Sequence, residues 1–346
     1  MRRFEDPCAR VSGATVLPKR EVHGAEPSAT RSHSCYLPES GGLDIAAAFA
    51  DRLILRVREL GHPLCAGVDP ILDQIPAPFR AGSMAPGDPA TAGAVERFCL
   101  AYLDRVADRV AILKPQSAFF EALGWRGVKV LSGLLAEARS RGLLVLLDAK
   151  RGDIGSTAAG YAAAYLEESS PLRADALTIN PYLGTDTIEP HVSAAATSGS
   201  GLFVLTRTSN PGGRDYQELE AAGRPVFEHV AVSLGPLAKR LVGPETGYSG
   251  LGLVVGATYA DESRRLRELR PDSLFLVPGY GAQGGTGEAA VAGFVRGPTG
   301  RLEGGVVNSA RGLSFPDGSG NDAASWERAV DGALDRAISE LGEATA

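Results

Sequence analysis

The chain has 346 residues, of which 44% are hydrophobic and 22% are charged, which is enough to bury the core of one large domain or two ordinary ones. Its formal net charge of -6 argues against nucleic acid as the main partner, since phosphate backbones are bound by clustered lysine and arginine. We therefore expect a small-molecule partner.

No uninterrupted apolar run approaches the roughly 18 residues that a membrane span needs, and the N-terminus lacks the apolar core of a secretion signal. We expect a cytoplasmic protein without nucleic-acid or membrane partners. Four cysteines show no Cys-x-x-Cys spacing, which favours reduced thiols over a disulfide framework and gives no indication of a metal.

Residues 1–42 combine mixed charge with serine, proline and glycine and show no sustained period of 2 or 3.6. Such a segment is typical of a flexible extension. From Leu43 the apolar residues recur at helical spacing until Gly61, a usual helix stop. The sequence therefore predicts an N-terminal extension, 1–42, followed by a single folded domain, 43–346.

Apolar runs and helix-like segments alternate through this domain. Most runs end in polar residues or glycine, as parallel strands do where their following loops build a site. Eight strands in about 300 residues predict an α/β protein with the (β/α)8 TIM-barrel fold, whereas a doubly wound open sheet would need fewer strands or two domains. The predicted strands lie at 63–70, 110–115, 143–150, 174–182, 201–213, 250–258, 273–285 and 304–312.

Charged residues stand at the ends of the first three strands. Lys114 stands at the end of the second strand, and Asp148 and Lys150 stand at the end of the third, so their side chains converge at the barrel mouth; Asp69 joins them from the first. Buried charges are costly unless they are paired or used, so this array is a candidate catalytic centre. A purely structural ion network is the alternative.

The seventh strand leads into a glycine cluster, PGYGAQGG. Gly279, Gly281 and Gly284 match Gly-x-Gly-x-x-Gly, but a dinucleotide fingerprint belongs at the start of a βαβ unit and not on a seventh strand. In a barrel, the loops after strands seven and eight form a phosphate site, which makes Gln283 and Arg311 candidate phosphate ligands. A tight turn with a surface arginine is the alternative.

Two longer insertions, residues 71–90 and 211–225, interrupt the alternation of strand and helix. Loops of this length in a compact barrel are often lids or rims of the active site. The second insertion is therefore a candidate lid.

The segment LLDAKRGDIGST resembles the Asp-x-Lys-x-x-Asp signature of the orotidine 5'-phosphate decarboxylase family, in its longer bacterial, type 2 form. The similarity extends over most of residues 50–315, because the blocks GVDP, LKPQSAFFE, RTSNPGG, PGYGAQGG and NSARG occur in the family's order. Asp-x-Lys-x-x-Asp alone is shared with sugar-phosphate enzymes of the same superfamily, and the ordered set is more specific.

This resemblance implies a homodimer with shared active sites and no cofactor or metal. It implies that Lys114, Asp148 and Lys150 form the charged array of one subunit, whereas Asp153, Ile154 and Thr157 reach the neighbouring subunit's site. The remaining implied contacts are ribose at Asp69 and Lys114, the pyrimidine at Ser209, and the 5'-phosphate at Gln283, Arg311 and the glycine loop with Gly281 and Gly284.

Decarboxylation at C6 of a pyrimidine leaves a carbanion with little resonance relief, so the site must stabilise negative charge and deliver a proton there. Lys150 suits both roles. The alternatives are a metal-assisted sugar-phosphate decarboxylase, which would need a further strand-end carboxylate where Lys114 stands, and a non-catalytic nucleotide-phosphate-binding barrel, for which a buried charge array has little use.

Overall fold

The computed structural model describes residues 48–281, 284–319 and 321–346. Eight parallel strands form one sheet in the order β2-β1-β8-β7-β6-β5-β4-β3. Isolated parallel bridges from Leu113 to Val145 and from Gln116 to Asp148 join β2 to β3 and close the sheet into a barrel. The strands are β1 Leu64–Val68, β2 Ile112–Pro115, β3 Leu146–Arg151, β4 Ala176–Ile179, β5 Gly201–Arg207, β6 Ser249–Val255, β7 Ser273–Val277 and β8 Gly305–Ser309.

Apart from α1, which precedes the first strand, the helices follow the strands and cover the outside of the barrel. The longer ones are α1 Phe49–Leu60, α2 Pro89–Val106, α3 Gly124–Ser140, α4 Gly155–Leu166, α5 Glu189–Ser198, α6 Val226–Ser233, α7 Ala260–Leu269 and α8 Ala323–Ala344. Short helices are Ser117–Glu121, Arg214–Gln217, Gly235–Ala238, Gly287–Ala290 and Arg311–Ser314. The TIM-barrel prediction is confirmed, since every predicted strand is present.

Two apolar cores hold the barrel together. The larger lies between the strands and the surrounding helices, and the smaller lies inside the barrel, where α1 packs against inward-facing strand residues. Phe49 of α1 meets Phe203 of β5 edge to face, with 6.1 Å between the ring centroids. Gly201 makes room for this contact, because a Cβ there would lie 2.1 Å from the Phe49 ring. Helix α1 therefore fills the amino-terminal end of the barrel.

Both insertions run near the carboxyl ends of the strands. Residues 71–90 contain two short 3-10 turns, Leu72–Gln74 and Ala77–Phe79. Residues 211–225 contain the 3-10 turn Pro211–Gly213, the helical turn Arg214–Gln217 and a two-residue hairpin that pairs Glu220–Ala221 with Arg224–Pro225.

All described residues belong to one compact unit. Within this part of the chain, no helix is both long enough and apolar enough to cross a membrane. Cys65 and Cys99 are buried free thiols, whereas Cys8 and Cys35 lie outside the described residues. The predicted extension, residues 1–42, also lies outside them, so its boundary stays a prediction.

Candidate active site

A cavity of about 930 Å³ opens at the carboxyl ends of the barrel strands. Its polar lining includes five of the residues singled out from the sequence: Asp69, Lys114, Asp148, Lys150 and Ser209. Its apolar lining comes from β5, β6, β7 and α6, with Leu205, Val226, Phe227, Val230, Val254 and Leu276. The ends of several strands therefore meet at one site, as the barrel fold predicts.

Asp148 lies at the centre of the polar lining. Lys114 Nζ donates to its Oδ2 over 2.9 Å, and Lys150 Nζ donates to its Oδ1 over 2.6 Å. Gln116 Nε2 donates to Oδ2 over 3.0 Å and Thr178 Oγ1 donates to Oδ1 over 3.0 Å. Each carboxylate oxygen therefore accepts one charged and one neutral hydrogen bond, which fixes the plane of the carboxylate.

The charges of this array support one another. Burial alone would raise the pKa of Asp148, but Lys114 and Lys150 outweigh burial and hold that pKa well below its ordinary value. Burial alone would lower the pKa of Lys114, yet Asp148 and Asp69 raise it. Asp148 is therefore an anion and Lys114 a cation throughout the neutral pH range.

The backbone of β3 aims Lys150 into the cavity. The register between β3 and β4 shifts between Leu147 and Arg151, and Lys150 itself has a left-handed φ of 48°. Thr178 Oγ1 supports this irregularity by accepting from the backbone N-H groups of Ala149 and Lys150, over 3.0 and 2.9 Å. Strained, non-glycine backbone of this kind concentrates at functional sites. The Lys150 side chain remains 47% exposed, so its ammonium can reach a ligand.

Asp69 extends the polar lining from β1. Its Oδ1 is buried without a hydrogen-bond partner among the described residues. Burial raises the pKa of Asp69, while the charge of Lys114 opposes the rise. A buried acceptor that lines a cavity and lacks a donor is suited to bind a ligand hydroxyl.

Asp153, Ile154 and Thr157 do not line this cavity. Asp153 Oδ1 accepts a hydrogen bond from the backbone N-H of Ile154 over 2.8 Å, and Ile154 is 62% exposed. Thr157 is exposed in the first turn of α4. Within one chain these three residues are therefore separate from the charged array.

The candidate phosphate loop follows β7. Gly281 and Gly284 have left-handed φ values of 71° and 85°, which residues with a Cβ rarely adopt. Their backbone forms a tight turn, because Gly284 N donates to Gly281 O over 2.8 Å. Arg311 is exposed at the start of the short helix after β8, while Gln283 lies outside the described residues. Neither glycine nor Arg311 lines the cavity.

Several cavity residues were not predicted from the sequence. Gln116 and Thr178 hold Asp148, and further polar atoms come from Asn180, Tyr182, Gln217 and Asn308. Gln116, Asn180 and Asn308 stand at strand ends, and the same positional rule could have found them. Thr178 lies inside β4 and carries no charge, so nothing in the sequence marks it. Within the described ranges, no group of three or more His, Cys, Asp or Glu side chains is placed to hold a metal ion.

An acid paired with two lysines at the mouth of a closed barrel defines a TIM-barrel enzyme with a charged site for a small ligand. Comparisons with known proteins assign the family. The model of the orotidine 5'-phosphate decarboxylase / HUMPS family matches residues 63–312. The chain belongs to this family, as the sequence motifs predict.

Curated relatives are similar over most of their length. The orotidine 5'-phosphate decarboxylase of Rhodopirellula baltica is 40% identical over 291 residues, covering 82% of this chain and 95% of that protein. The enzyme of the same name from Streptomyces coelicolor is 45% identical over 239 residues, covering 69% and 81%. A crystal structure from Streptomyces avermitilis has 37% identity and a TM-score of 0.71, covering 86% and 96%. These relatives support the decarboxylase prediction and not its alternatives.

Proposed function

We propose that this chain is a carboxy-lyase that converts orotidine 5'-phosphate to UMP and CO2, the last step of de novo pyrimidine biosynthesis, without a metal or organic cofactor. The observation that carries the proposal is the array of Lys114, Asp148 and Lys150 in the polar lining of the cavity. The names of the curated relatives support the same reaction.

Lys150 acts at the reacting carbon. When the bond between C6 and the carboxylate breaks, its electron pair stays on C6 and CO2 leaves. The Lys150 ammonium stabilises this negative charge as it develops and then transfers a proton to C6, which gives UMP and a neutral Lys150 amine. The amine takes up a proton from water before the next turnover. Its partial exposure at the cavity and its hydrogen bond to Asp148 fix the proton donor before substrate arrives.

Asp148 contributes in two ways. It positions both lysines, since each ammonium donates to a different oxygen of the same carboxylate. It also places a fixed negative charge next to the position of the substrate carboxylate, which raises the energy of the bound substrate relative to the carbanion. Loss of CO2 removes that repulsion.

The rest of the site binds the parts of substrate that do not react. Asp69 and Lys114 bind the ribose hydroxyls, for which the unpartnered Asp69 Oδ1 is suited. Ser209 contacts the pyrimidine, and the 5'-phosphate lies between Arg311, Gln283 and the turn with Gly281 and Gly284. Binding energy from this remote phosphate favours closure of the 211–225 loop over the array.

The functional unit is a homodimer in which Asp153, Ile154 and Thr157 complete the partner's site. Their absence from the cavity of their own chain and the exposure of Ile154 support this arrangement. The protein works in the cytoplasm on a small-molecule substrate.

The test follows the loss of orotidine 5'-phosphate absorbance in the presence of EDTA. We expect the wild type to be active and Lys150→Ala to lose about 10²–10⁴-fold or more in kcat, as removal of a general acid does. Lys129→Ala is the matched control, because Lys129 is an exposed lysine on α3 that does not line the cavity. An inert wild type, or near-normal activity in Lys150→Ala, would refute the proposal.

A further inference from the structure

Arg207, the last residue of β5, is a buried cation that the proposed chemistry does not use. Its side chain is 1% exposed, and its guanidinium lies over the Tyr259 ring at 3.5 Å from the centroid. Nη2 pairs with Glu218, and it contacts Glu262 Oε1 at 3.5 Å. Glu262 belongs to α7, a fixed element of the barrel, whereas Glu218 belongs to the loop after β5.

A second link lies beside the first. The backbone N-H of Thr208 donates to Gln217 Oε1 over 2.9 Å, and Gln217 Nε2 donates back to Thr208 Oγ1 over 2.8 Å. Residues 207 and 208 therefore bind residues 218 and 217, respectively. These two adjacent links, here called the clasp, join the two ends of the segment 209–216.

The clasp is tightly packed. A Cβ at Gly213 would lie 3.0 Å from Gln217 Oε1 and 3.4 Å from Arg207 Nη1, so the loop backbone passes directly over both links. The base of the loop also packs on β6, because the N-H of Gly256 donates to Arg207 O over 2.7 Å. The clasp thus fixes the loop to the barrel at the point where β5 ends.

The loop that the clasp closes lines the cavity with Ser209, Asn210, Tyr216 and Gln217. We propose that Arg207 is a positioning residue, which acts through Glu218 to hold this loop in place for the substrate. The inference rests on the proposed function, because the loop carries Ser209, the expected pyrimidine contact. Of the clasp residues, Thr208 and Gln217 line the cavity, whereas Arg207 and Glu218 do not.

Two carboxylates face the buried charge of Arg207: Glu218, at the shorter distance, and Glu262, at 3.5 Å. They differ in one respect that matters for the substrate, since only Glu218 is part of the loop. Opening the clasp would leave a longer free segment, and ordering that segment on binding would then cost affinity.

The experiment compares Glu218→Gln with Glu262→Gln, which removes the same charge from the same guanidinium on a fixed helix. We expect Glu218→Gln to raise KM for orotidine 5'-phosphate about tenfold with little change in kcat, because the ordered loop serves bound substrate and transition state alike. Glu262→Gln should keep the wild-type KM. An unchanged KM in Glu218→Gln, or an equal rise in Glu262→Gln, would overturn the proposal.

A second measurement needs no substrate. Trypsin can cut after Arg214, which is exposed inside the loop, and mass spectrometry identifies the fragments. Cleavage there should be several-fold faster in Glu218→Gln than in the wild type or Glu262→Gln, and equal rates in all three would overturn the proposal. If the wild type failed to decarboxylate substrate, the proposed function would fail while this comparison would still decide the clasp.

Arg207→Lys tests the same pair by changing the arginine, since the lysine keeps the positive charge but lacks the planar guanidinium group. It should raise KM as Glu218→Gln does. The double variant Arg207→Lys/Glu218→Gln should be no worse than either single variant, because both break the same link. If the increases in KM of the two single variants were fully additive in the double variant, Arg207 and Glu218 would not act through the same link.

Discussion

Asp148 illustrates at the residue scale how one side chain joins stability to chemistry. It compensates Lys114, which is buried and would otherwise stand in the barrel with only the more distant charge of Asp69 to offset it. Removing one member of a buried ion pair leaves the other charge without compensation, which is costly. The residue that positions the proposed catalytic lysine is therefore also a structural residue.

We expect Asp148→Asn to lower the free energy of unfolding by about 3 kcal/mol at pH 7. Urea denaturation followed by circular dichroism measures this difference. Asp73→Asn is the matched control, because Asp73 is exposed and its carboxylate has no partner among the described residues, so its effect should stay within about 0.5 kcal/mol. Equal effects of the two substitutions would contradict the assignment.

The difference in unfolding free energy between the wild type and Asp148→Asn should depend on pH in a defined direction. The pKa of Asp148 in the folded protein lies below its ordinary value of 3.8, so its stabilising contribution is complete above that value and is lost as the pH falls toward the folded pKa. The gap between wild type and Asp148→Asn should thus be constant from pH 7 to pH 5 and shrink only in stronger acid. A gap that already narrows between pH 7 and pH 5 would exclude this linkage.

Lys150 carries strain as well as charge. Its φ of 48° lies in the left-handed region, where a Cβ costs about 1 kcal/mol. Lys150→Gly should therefore be more stable than Lys150→Ala by about 1 kcal/mol, although both lack the ammonium and both should be inactive. Thermal unfolding of the two variants measures this difference. Equal stability would show that the backbone relaxes when the lysine is removed.

At the scale of elements, the strand ends explain how much of the site can be predicted from the sequence. Lys114, Asp148 and Lys150 could be found because charged residues directly after buried apolar runs are unusual. The register shift that turns Lys150 toward the cavity could not be predicted from the sequence, because it depends on hydrogen bonds to Thr178 of the next strand. Sequence spacing records which strand a residue is on, but it does not record a shift in register between strands.

Helix α1 is a second element whose role became visible only in three dimensions. The sequence predicts a helix ending at Gly61, and the helix observed ends at Leu60 with Gly61 in a left-handed cap. Its position inside the amino-terminal end of the barrel depends on contacts with strands far along the chain, such as the one between Phe49 and Phe203. Amphipathic spacing indicates that one face of a helix is buried, but it does not indicate which elements that face packs against.

Two leucines on α1 test this packing. Leu53 is fully buried in the inner core and Leu55 is 37% exposed. We expect Leu53→Ala to cost about 2–5 kcal/mol of stability, because it leaves a cavity in a core that cannot collapse easily, and Leu55→Ala to cost less than about 1 kcal/mol. Denaturant titration compares the two. A similar loss in both variants would mean that α1 is not packed inside the barrel.

At the scale of the whole molecule, the repeat of strand and helix is the most predictable property of the chain. Eight apolar runs separated by helical segments require the polar strand ends to meet, whatever the details of each loop. The assembly is less predictable from one chain, since a residue that serves a partner resembles an ordinary surface residue. The roles proposed for Asp153 and Ile154 are an example, because neither residue lines the cavity of its own barrel.

The proposed shared site makes a quantitative prediction for mixed dimers. Lys150→Ala and Asp153→Ala should each be nearly inactive as homodimers. In a hybrid, the subunit that keeps Lys150 receives Asp153 from its partner, so one complete site forms in each hybrid dimer. Random exchange makes about half of the dimers hybrids, so the mixture should recover about a quarter of the wild-type specific activity.

The matched control is a mixture of Lys150→Ala with Asp148→Asn. Both changes lie in the array of the same barrel, 2.6 Å apart at their interacting atoms, so no combination of these subunits yields a complete site. This mixture should stay inactive under the same exchange conditions, verified by the mass of the hybrid species. Absence of recovery in the first mixture, with hybrids present, would place the function of Asp153 inside its own chain and remove the chemical reason for dimerisation.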